Sequence, residues 1–185
     1  TNTYWPYNDA QQRVKNIFYQ SDRSASVTVA CSPLQPHPGS VYQPGGTTLI
    51  TSARISSRIK THHSDNLGRW SGVTLQGRGQ KKITLLQCYQ VPQQSAAGPA
   101  TTYSQQKSIL RQQGSSLKPR EAFVADLNTF LKTLQITSDH GILLMGDFND
   151  DVLRVNSKLG QLMDRHRLLD VHRYDNFPVL KLKTI

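Results

Sequence analysis

The spacing of apolar residues divides the chain into helix-like and strand-like segments. Apolar residues recur at intervals of three and four within Asp9–Tyr19, which predicts a short amphipathic helix. Ser26–Ser32 alternates β-branched residues and predicts a strand. Pro33–Gly46 holds four of the nine prolines and three glycines, so we interpret it as a long loop within one structural unit.

Four strand-like runs follow this loop, and two helical patterns come after them. The runs are TTLITSA, SRIKT, SGVTLQG and KKITLLQCYQV, and the turn residues at Gly77–Gln80 predict a hairpin with antiparallel pairing between the last two. Thr101–Gln113 predicts a polar helix that Gly114 ends. The segment KPREAFVADLNTFLKTL predicts a helix that begins at Pro119 and carries a broad apolar stripe.

The segment GILLMGDFN, Gly141–Asn149, lacks polar alternation and predicts a strand buried on both faces. Ser157–Val171 has helical periodicity and predicts a closing helix. Strands, then helices, then a buried strand and a last helix indicate mixed α/β layers with helices packed on sheet faces.

Acidic and amide side chains stand where this buried strand emerges. Gly146 would let the backbone turn there, which would place Asp147 and Asn149 on one side of an extended chain and direct Phe148 into the core. A carboxylate that holds a water and an amide that donates to an anionic oxygen suit phosphodiester hydrolysis. The alternative is an Asx-rich turn that forms for purely local reasons.

The charge of the chain favours a polyanionic partner. Lys and Arg number 22 against 12 Asp and Glu, which gives a net charge of +10. The basic residues are unevenly placed: seven of them fall within one stretch whose only acid is Asp65, and that stretch is the strongest candidate for a phosphate-facing surface. The alternative is that these residues are the solvated faces of hairpin strands. The residues are Arg54, Arg58, Lys60, Arg69, Arg78, Lys81 and Lys82.

Other sequence features restrict the setting of the protein. Cys31 and Cys88 are too few for a disulfide framework or a four-ligand zinc site, and nothing resembles a signal peptide, so we expect an intracellular location, nuclear or cytoplasmic. No apolar run reaches the roughly 18 residues that a membrane span needs, so no membrane partner is expected. His62 and His63 are predicted to lie exposed in a polar loop. The oligomeric state stays open.

The GDFND stretch after an apolar strand, Gly146–Asp150, resembles the signature of the endonuclease/exonuclease/phosphatase superfamily. Ile83–Gln93, ITLLQCYQVPQ, is similar to the family strand that ends in Tyr or His followed by a proline, and PREAFVADLNTFL is similar to the helix before the G-D-F-N strand. The segments YQPGGTTLITSARISSRI, GRWSG and YSQQKSILRQQG resemble the retroelement-type endonucleases of this superfamily. The resemblance extends over Thr1–Val171.

The resemblance implies a four-layer α/β sandwich, in which two mixed β-sheets pack face to face between outer helices. It also implies a metal-dependent phosphodiesterase that acts on nucleic acid, with DNA as the expected substrate.

The resemblance further implies roles for five residues. Asp147 would orient or deprotonate the attacking water, and Asn149 would position the scissile phosphate. Tyr89 would contact that phosphate or stabilise charge near it, and Arg69 beside Trp70 would bind the substrate. For Tyr89 the alternative is a core aromatic residue with its hydroxyl group at the rim.

The metal site that the resemblance implies has no obvious ligands in this chain. The family holds a divalent metal, usually Mg²⁺, with a glutamate on an early strand and partners near the end of the domain. The only glutamate, Glu121, lies inside the helix that begins at Pro119, so we do not assign it to the metal. We interpret SDH at Ser138–His140 as a coincidental match to the family's closing motif. Asp150 and Asp151 would either begin the turn or contact a second metal, and the metal ligands stay unassigned.

We therefore expect residues 1–185 to be a single partial domain that lacks the first and last strands of the family. Such a fragment of an endonuclease would be weakly active or inactive alone. Two alternatives stay open: a catalytically dead, nucleic-acid-binding remnant of a retroelement, and a phosphatase that acts on small phosphate esters.

Overall fold

The computed structural model describes residues 7–32, 45–93, 98, 101–134 and 137–171. These residues fall into two compact units, the first ending at Asp150 and the second beginning at Asp151. The elements are α1 (Tyr7–Ser21), β1 (Ser26–Ala30), β2 (Thr47–Thr51), α2 (Ala53–Ser56), β3 (Ile59–Ser64), β4 (Trp70–Gln76), β5 (Lys82–Tyr89), α3 (Thr102–Gln112), α4 (Pro119–Thr133), β6 (His140–Asp147) and α5 (Lys158–His166). The expectation of a single partial domain stays a prediction.

Some of the segments named above lie outside the described residues. They are the loop predicted at Pro33–Gly46, apart from its last two glycines, and the start of the resemblance before Tyr7. The elements predicted for the rest of the first unit are confirmed, with ends that differ by a few residues.

The strands of the first unit form two sheets. In one sheet β1 pairs antiparallel with β2, from Ser26 opposite Thr51 to Ala30 opposite Thr47. The other has the order β3-β4-β5-β6, with antiparallel β3-β4 and β4-β5 pairs and a parallel β5-β6 pair. The hairpin predicted at Gly77–Gln80 joins β4 to β5. A parallel last pair requires a long crossover, and α3 and α4 supply it.

The sheets and helices of this unit stack in four layers. Strand β1 contacts β3 and β4 of the larger sheet, β2 contacts β4 and β5, and α1 packs on β1. On the opposite face of the larger sheet, Phe123 and Phe130 of α4 contact the ring of Trp70, with ring centroids 5.9 and 6.2 Å apart. The predicted α/β sandwich is therefore confirmed, and the larger of its two sheets is mixed.

Helix α4 buries the apolar stripe that its sequence predicts. Phe123, Leu127 and Leu131 are at most 1% exposed. The helix begins at Pro119, and the backbone nitrogen of Lys118 donates to Glu121 Oε2 at 3.2 Å. The single glutamate thus stabilises the start of a helix, which agrees with leaving it out of the metal site.

The burial predicted for the apolar strand was wrong. Within the described part of the chain, β6 is the edge strand of its sheet, and its side chains are half-buried or exposed, with Leu143 38% exposed. Parallel strands are usually covered on both faces, but burial depends on what packs against each face. The composition of a strand does not specify that packing.

The closing helix is shorter than predicted and belongs to the second unit. Ser157 Oγ accepts a hydrogen bond from Gly160 N at its start. Arg167 takes a left-handed conformation with φ of +52°, so α5 ends at His166 rather than at Val171. Leu159 and Leu162 are buried, as the helical pattern predicts.

His62 and His63 lie on strand β3 and not in a loop, which corrects the prediction. His62 is exposed as expected, and its Nδ1 is 2.7 Å from the hydroxyl group of Thr28. His63 is half-buried, with Nε2 2.8 Å from Thr74 Oγ1. The run KTHHS is polar throughout, so its composition resembled a loop although its side chains pair with hydroxyl groups on neighbouring strands.

Among the helices of the described residues, none combines the length and hydrophobicity that crossing a membrane requires.

Candidate functional site

Tyr89 and Asp147 lie side by side at the carboxyl ends of two parallel strands. They are register partners at the ends of β5 and β6, so their Cα atoms are separated by about 4.8 Å and their side chains leave the same face of the sheet. Gly146 makes this approach possible, because its φ is +133° and a Cβ atom there would overlap the carbonyl oxygen of Cys88. The structure thus brings these two predicted residues together.

Asn149 joins the same strand ends through a turn. Its φ is +45°, a left-handed conformation that asparagine tolerates better than most residues. Its backbone nitrogen donates to Asp147 Oδ1 at 3.0 Å, and its side-chain Nδ2 donates to the carbonyl oxygen of Gln90 at 2.9 Å. The prediction of an extended chain through Asn149 was wrong: the local Asx turn forms, and it is what carries Asn149 to the end of β5.

Phe148 points away from this turn and into the core, as predicted. Its ring lies edge-on to Phe123 of α4, with centroids 6.3 Å apart. Phe148 therefore anchors the turn from beneath, on the helix-covered face of the sheet.

Arg120 binds the two backbone segments that carry the site residues. Its Nη1 donates to the carbonyl oxygens of Val91 at 2.9 Å and Asn149 at 2.8 Å, and its Nη2 is 3.2 Å from a carboxylate oxygen of Asp150. A planar guanidinium is suited to bridging several acceptors at once. Arg120 thereby ties the exit of β5 to the turn after β6.

Sequence reasoning missed Arg120, although one signal was available. The residue follows Pro119 in the first turn of α4, where a positive charge is unfavourable because of the helix dipole. A cation at that position indicates compensating partners, and here these are two carbonyl groups and a carboxylate.

Tyr89 is held in its neutral form. Burial and then the negative charge of Asp147 raise the pKa of the Tyr89 phenol above its usual value. At neutral pH the hydroxyl group therefore keeps its proton, and it can donate a hydrogen bond to an anionic oxygen.

The side chains of Arg69 and Trp70 do not lie at this strand end. Arg69 is 3% exposed, and its guanidinium binds Asp65 and Asp126, each at 2.8 Å. Burial opposes the charged form, but the hydrogen bonds and charges of the two carboxylates outweigh it and raise the pKa of Arg69. Trp70 is 5% exposed and stacks against Arg69, with 4.8 Å between the guanidinium carbon and the ring centroid. The ion pairs and the stacking give both residues a structural role. Their contact with substrate stays a prediction.

Asp150 and Asp151 both have local partners. Asp150 forms the ion pair with Arg120, and Asp151 Oδ1, in the second unit, accepts from Leu153 N at 3.0 Å. Contact of either residue with a second metal stays a prediction. Within the described ranges, no three His, Cys, Asp or Glu side chains form a cluster that could hold a metal ion. The donors around Asp147 therefore do not by themselves fit a metal site.

The cysteine next to the site does not supply a nucleophile. Cys88 precedes Tyr89 on β5 and is fully buried, and burial followed by the charge of Asp65 raises its pKa to about 12. Cys31 and Cys88 are both free thiols. A thiol that stays protonated at neutral pH is a poor nucleophile, so the chemistry of this strand end is that of carboxylate, phenol and amide groups.

Comparisons with known proteins bear on the fold. No protein-family model matches the chain, and no curated protein does. Among solved structures, it is similar to beta toxin 275-280 from Staphylococcus aureus, with a TM-score of 0.50, 14% identity, and coverage of 89% of this chain and 56% of that one. A beta-hairpin deletion mutant of the same toxin gives a TM-score of 0.49, 15% identity, and coverage of 89% and 57%.

The likeness to beta toxin shows the fold alone, because the identity is low. It supports the α/β sandwich that the GDFND resemblance implied. The chain spans little more than half the length of beta toxin.

Proposed function

We propose that the chain is part of a phosphodiesterase that cleaves nucleic acid, DNA in the first place, at the strand end formed by Tyr89, Asp147 and Asn149. The observation that carries the proposal is the register of β5 and β6, which sets a neutral phenol and a carboxylate side by side, while the Asn149 amide donates to Gln90, the residue after Tyr89. The net charge of +10 supports a polyanionic substrate.

Each side chain has a distinct part in this chemistry. Asp147 would accept the proton of the attacking water, and the hydrogen bond from Asn149 N to one of its oxygens orients the other oxygen for that task. Tyr89 would donate to a phosphate oxygen. Asn149 Nδ2 carries two hydrogens, of which one is given to Gln90, so the second can donate to the same phosphate.

The superfamily with this fold uses divalent metals, and we propose Mg²⁺ for the complete protein. Because the described side chains do not fit a metal on their own, none of the roles above involves one. The retroelement origin and an intracellular site of action, nuclear or cytoplasmic, belong to the same proposal and rest on the sequence.

The proposal is tested by nicking of supercoiled plasmid in Mg²⁺, with this chain and with a longer chain from the same reading frame. We expect weak nicking by the 185-residue chain and strong nicking by the longer one. In the longer chain, Asp147→Ala and Asn149→Ala should each lower the rate roughly a hundredfold or more, the usual cost of losing a general base or an oxyanion donor. Unchanged nicking in both variants would show that the strand end is not the active site.

Two further readouts separate the alternatives. Asp139→Ala is the control, since it removes an exposed carboxylate just before β6, at the other end of that strand from Asp147, and it should keep most of the activity. Plasmid binding without nicking in either chain indicates a catalytically dead remnant. Hydrolysis of inositol phosphates, with no action on plasmid, indicates a phosphatase for small phosphate esters.

A further inference from the structure

The fold separates the basic stretch of the sequence from the candidate active site. Arg69 is buried, with Asp65 as its partner. The remaining cations gather where β3 begins, β4 ends and β5 begins, because Gln76 pairs with Lys82 and Gln76 N donates to the carbonyl oxygen of Arg58. We call this group the basic end; its members are Arg54, Arg58, Lys60, Arg78, Lys81 and Lys82.

The basic end and the candidate active site lie at opposite ends of the same strand. Lys82 is the first residue of β5 and Tyr89 is its last. A rise of about 3.3 Å per residue puts them about 23 Å apart. The cations of the basic end therefore contact different phosphates from the one at the strand-end site.

The cations of the basic end are available to a ligand. All except Lys82 are exposed, and Lys82 is partly exposed. No salt bridge joins any of the six to a carboxylate among the described residues. Asp139, whose carbonyl oxygen accepts from Lys82 N, is the acidic residue next to them in the sheet. The charge of the basic end is thus largely uncompensated within the protein.

Hydrogen bonds hold the backbone of the basic end before any ligand arrives. The side-chain Nε2 of Gln76 donates to the carbonyl oxygens of Gly79 at 2.8 Å and Lys81 at 3.2 Å, which ties the hairpin turn. Next to it, Arg58 N donates to Ile55 O at 2.9 Å. Fixed backbones lower the entropic cost of binding.

We propose that the basic end is a second binding surface, separate from the strand-end site, for the phosphate backbone of duplex nucleic acid. The proposal rests on the proposed function only for the choice of nucleic acid as the partner. Six cations on three adjacent segments match the repeated charge of a duplex, which carries a phosphate about every 3.4 Å of each strand. An amphipathic helix is one way to bind a membrane surface, and α2, with four residues, is too short to provide it.

The test measures how duplex binding depends on salt, with a chelator present so that no hydrolysis occurs. Arg78→Gln, Lys81→Gln and Lys82→Gln are combined in one variant of the 185-residue chain. The matched control combines Lys107→Gln, Arg111→Gln and Lys132→Gln, which removes the same charge from exposed positions on α3 and α4. Fluorescence anisotropy of a labelled DNA duplex, at several KCl concentrations, gives the slope of log K against log salt.

We expect the basic-end variant to bind the duplex more weakly than the unaltered chain. The magnitude of its salt slope should decrease by about 3, since each lost phosphate contact removes about 0.9, whereas the slope of the control should decrease by less than about 1. In a second variant, Arg54→Gln with Arg58→Gln, the magnitude of the slope should decrease by about 2. Both substitutions lie outside the β4–β5 hairpin, so a folding defect in the hairpin cannot cause this change. Unchanged thermal unfolding midpoints show that the variants are folded.

Three results would overturn the inference. Equal losses in the basic-end variant and the control would mean that only net charge matters. Absence of duplex binding by the unaltered chain would remove the partner. Binding to vesicles of phosphatidylserine and phosphatidylcholine that depends on the basic end, without such dependence for duplex, would make it a membrane contact. Loss of plasmid nicking alone would refute the proposed function and leave this inference standing.

Discussion

Replacement of Arg69 by methionine tests whether this residue is structural or contacts substrate. Its Nε and Nη2 donate to the two oxygens of Asp65, both at 2.8 Å, and Nη2 also donates to Asp126. Asp65 in turn accepts backbone hydrogen bonds from Leu67 and Arg69 at 3.0 Å, so it holds the turn between β3 and β4. Arg69→Met keeps most of the side-chain volume but removes the charge that compensates Asp65.

The expected cost follows from the burial of the two carboxylates. The Asp65 side chain is 7% exposed, so the variant leaves a buried anion without a counter-charge, which costs about 3–5 kcal/mol. The Asp126 side chain is 50% exposed, and Asp126→Asn should cost about 0–1 kcal/mol. For a chain of this size, each kcal/mol lowers Tm by about 2–4 °C, so Arg69→Met should lower Tm by roughly 6–20 °C.

Urea unfolding measures this difference directly. The ring of Trp70 lies in the core beside Arg69, so its fluorescence reports on the packing around the ion pair. If the free energy of unfolding of Arg69→Met is within about 1 kcal/mol of that of the unaltered chain, or equals that of Asp126→Asn, the argument from a buried ion pair is wrong. Unchanged stability together with weaker duplex binding would restore the substrate contact that the sequence predicts for Arg69.

Two further predictions concern the strand end and the sheet. Gly146→Ala should destabilise the fold by about 3 kcal/mol or more in thermal melts, because φ is +133° and the new Cβ would overlap Cys88 O. Gly79→Ala is the control: no atom lies within 4 Å of the new Cβ, and the substitution should cost about 1–2 kcal/mol. Equal effects would contradict this reasoning. Burial, then the charges of His62 and His140, lowers the pKa of His63 in the folded protein. As pH decreases below about 6.5, His63 therefore binds a proton more readily in the unfolded chain than in the folded one, and the free energy of unfolding falls. His63→Gln should flatten this decrease in urea titrations between pH 7 and about 5, and an unchanged slope would count against it.

The sequence predicted the parts of the site that depend on a few consecutive residues. Gly146 has the unusual conformation expected of a glycine at a turn, and the Asx turn stated as the alternative forms between Asp147 and Asn149. Helix α4 was predictable for the same reason, since the spacing of its apolar residues and the helix start at Pro119 are both visible within four or five consecutive residues. The error at β6 arose because an apolar run specifies a strand but not the layers that cover it.

The charged residues show most clearly what depends on tertiary structure. Arg69 and Lys82 belong to one basic stretch, yet one is buried in an ion pair and the other lies at the exposed start of β5. Arg120 reaches Asn149 only because the crossover brings the start of α4 next to the end of β6.

The sequence by itself determined the helices, the hairpin and the identity of the residues at the strand end, because propensity and periodicity act over short distances along the chain. Tertiary structure alone decided that Tyr89 adjoins Asp147, since nearly sixty residues separate them in the chain and only the parallel register of β5 and β6 aligns them. It also decided which cations meet solvent, because burial is set by contacts between distant segments.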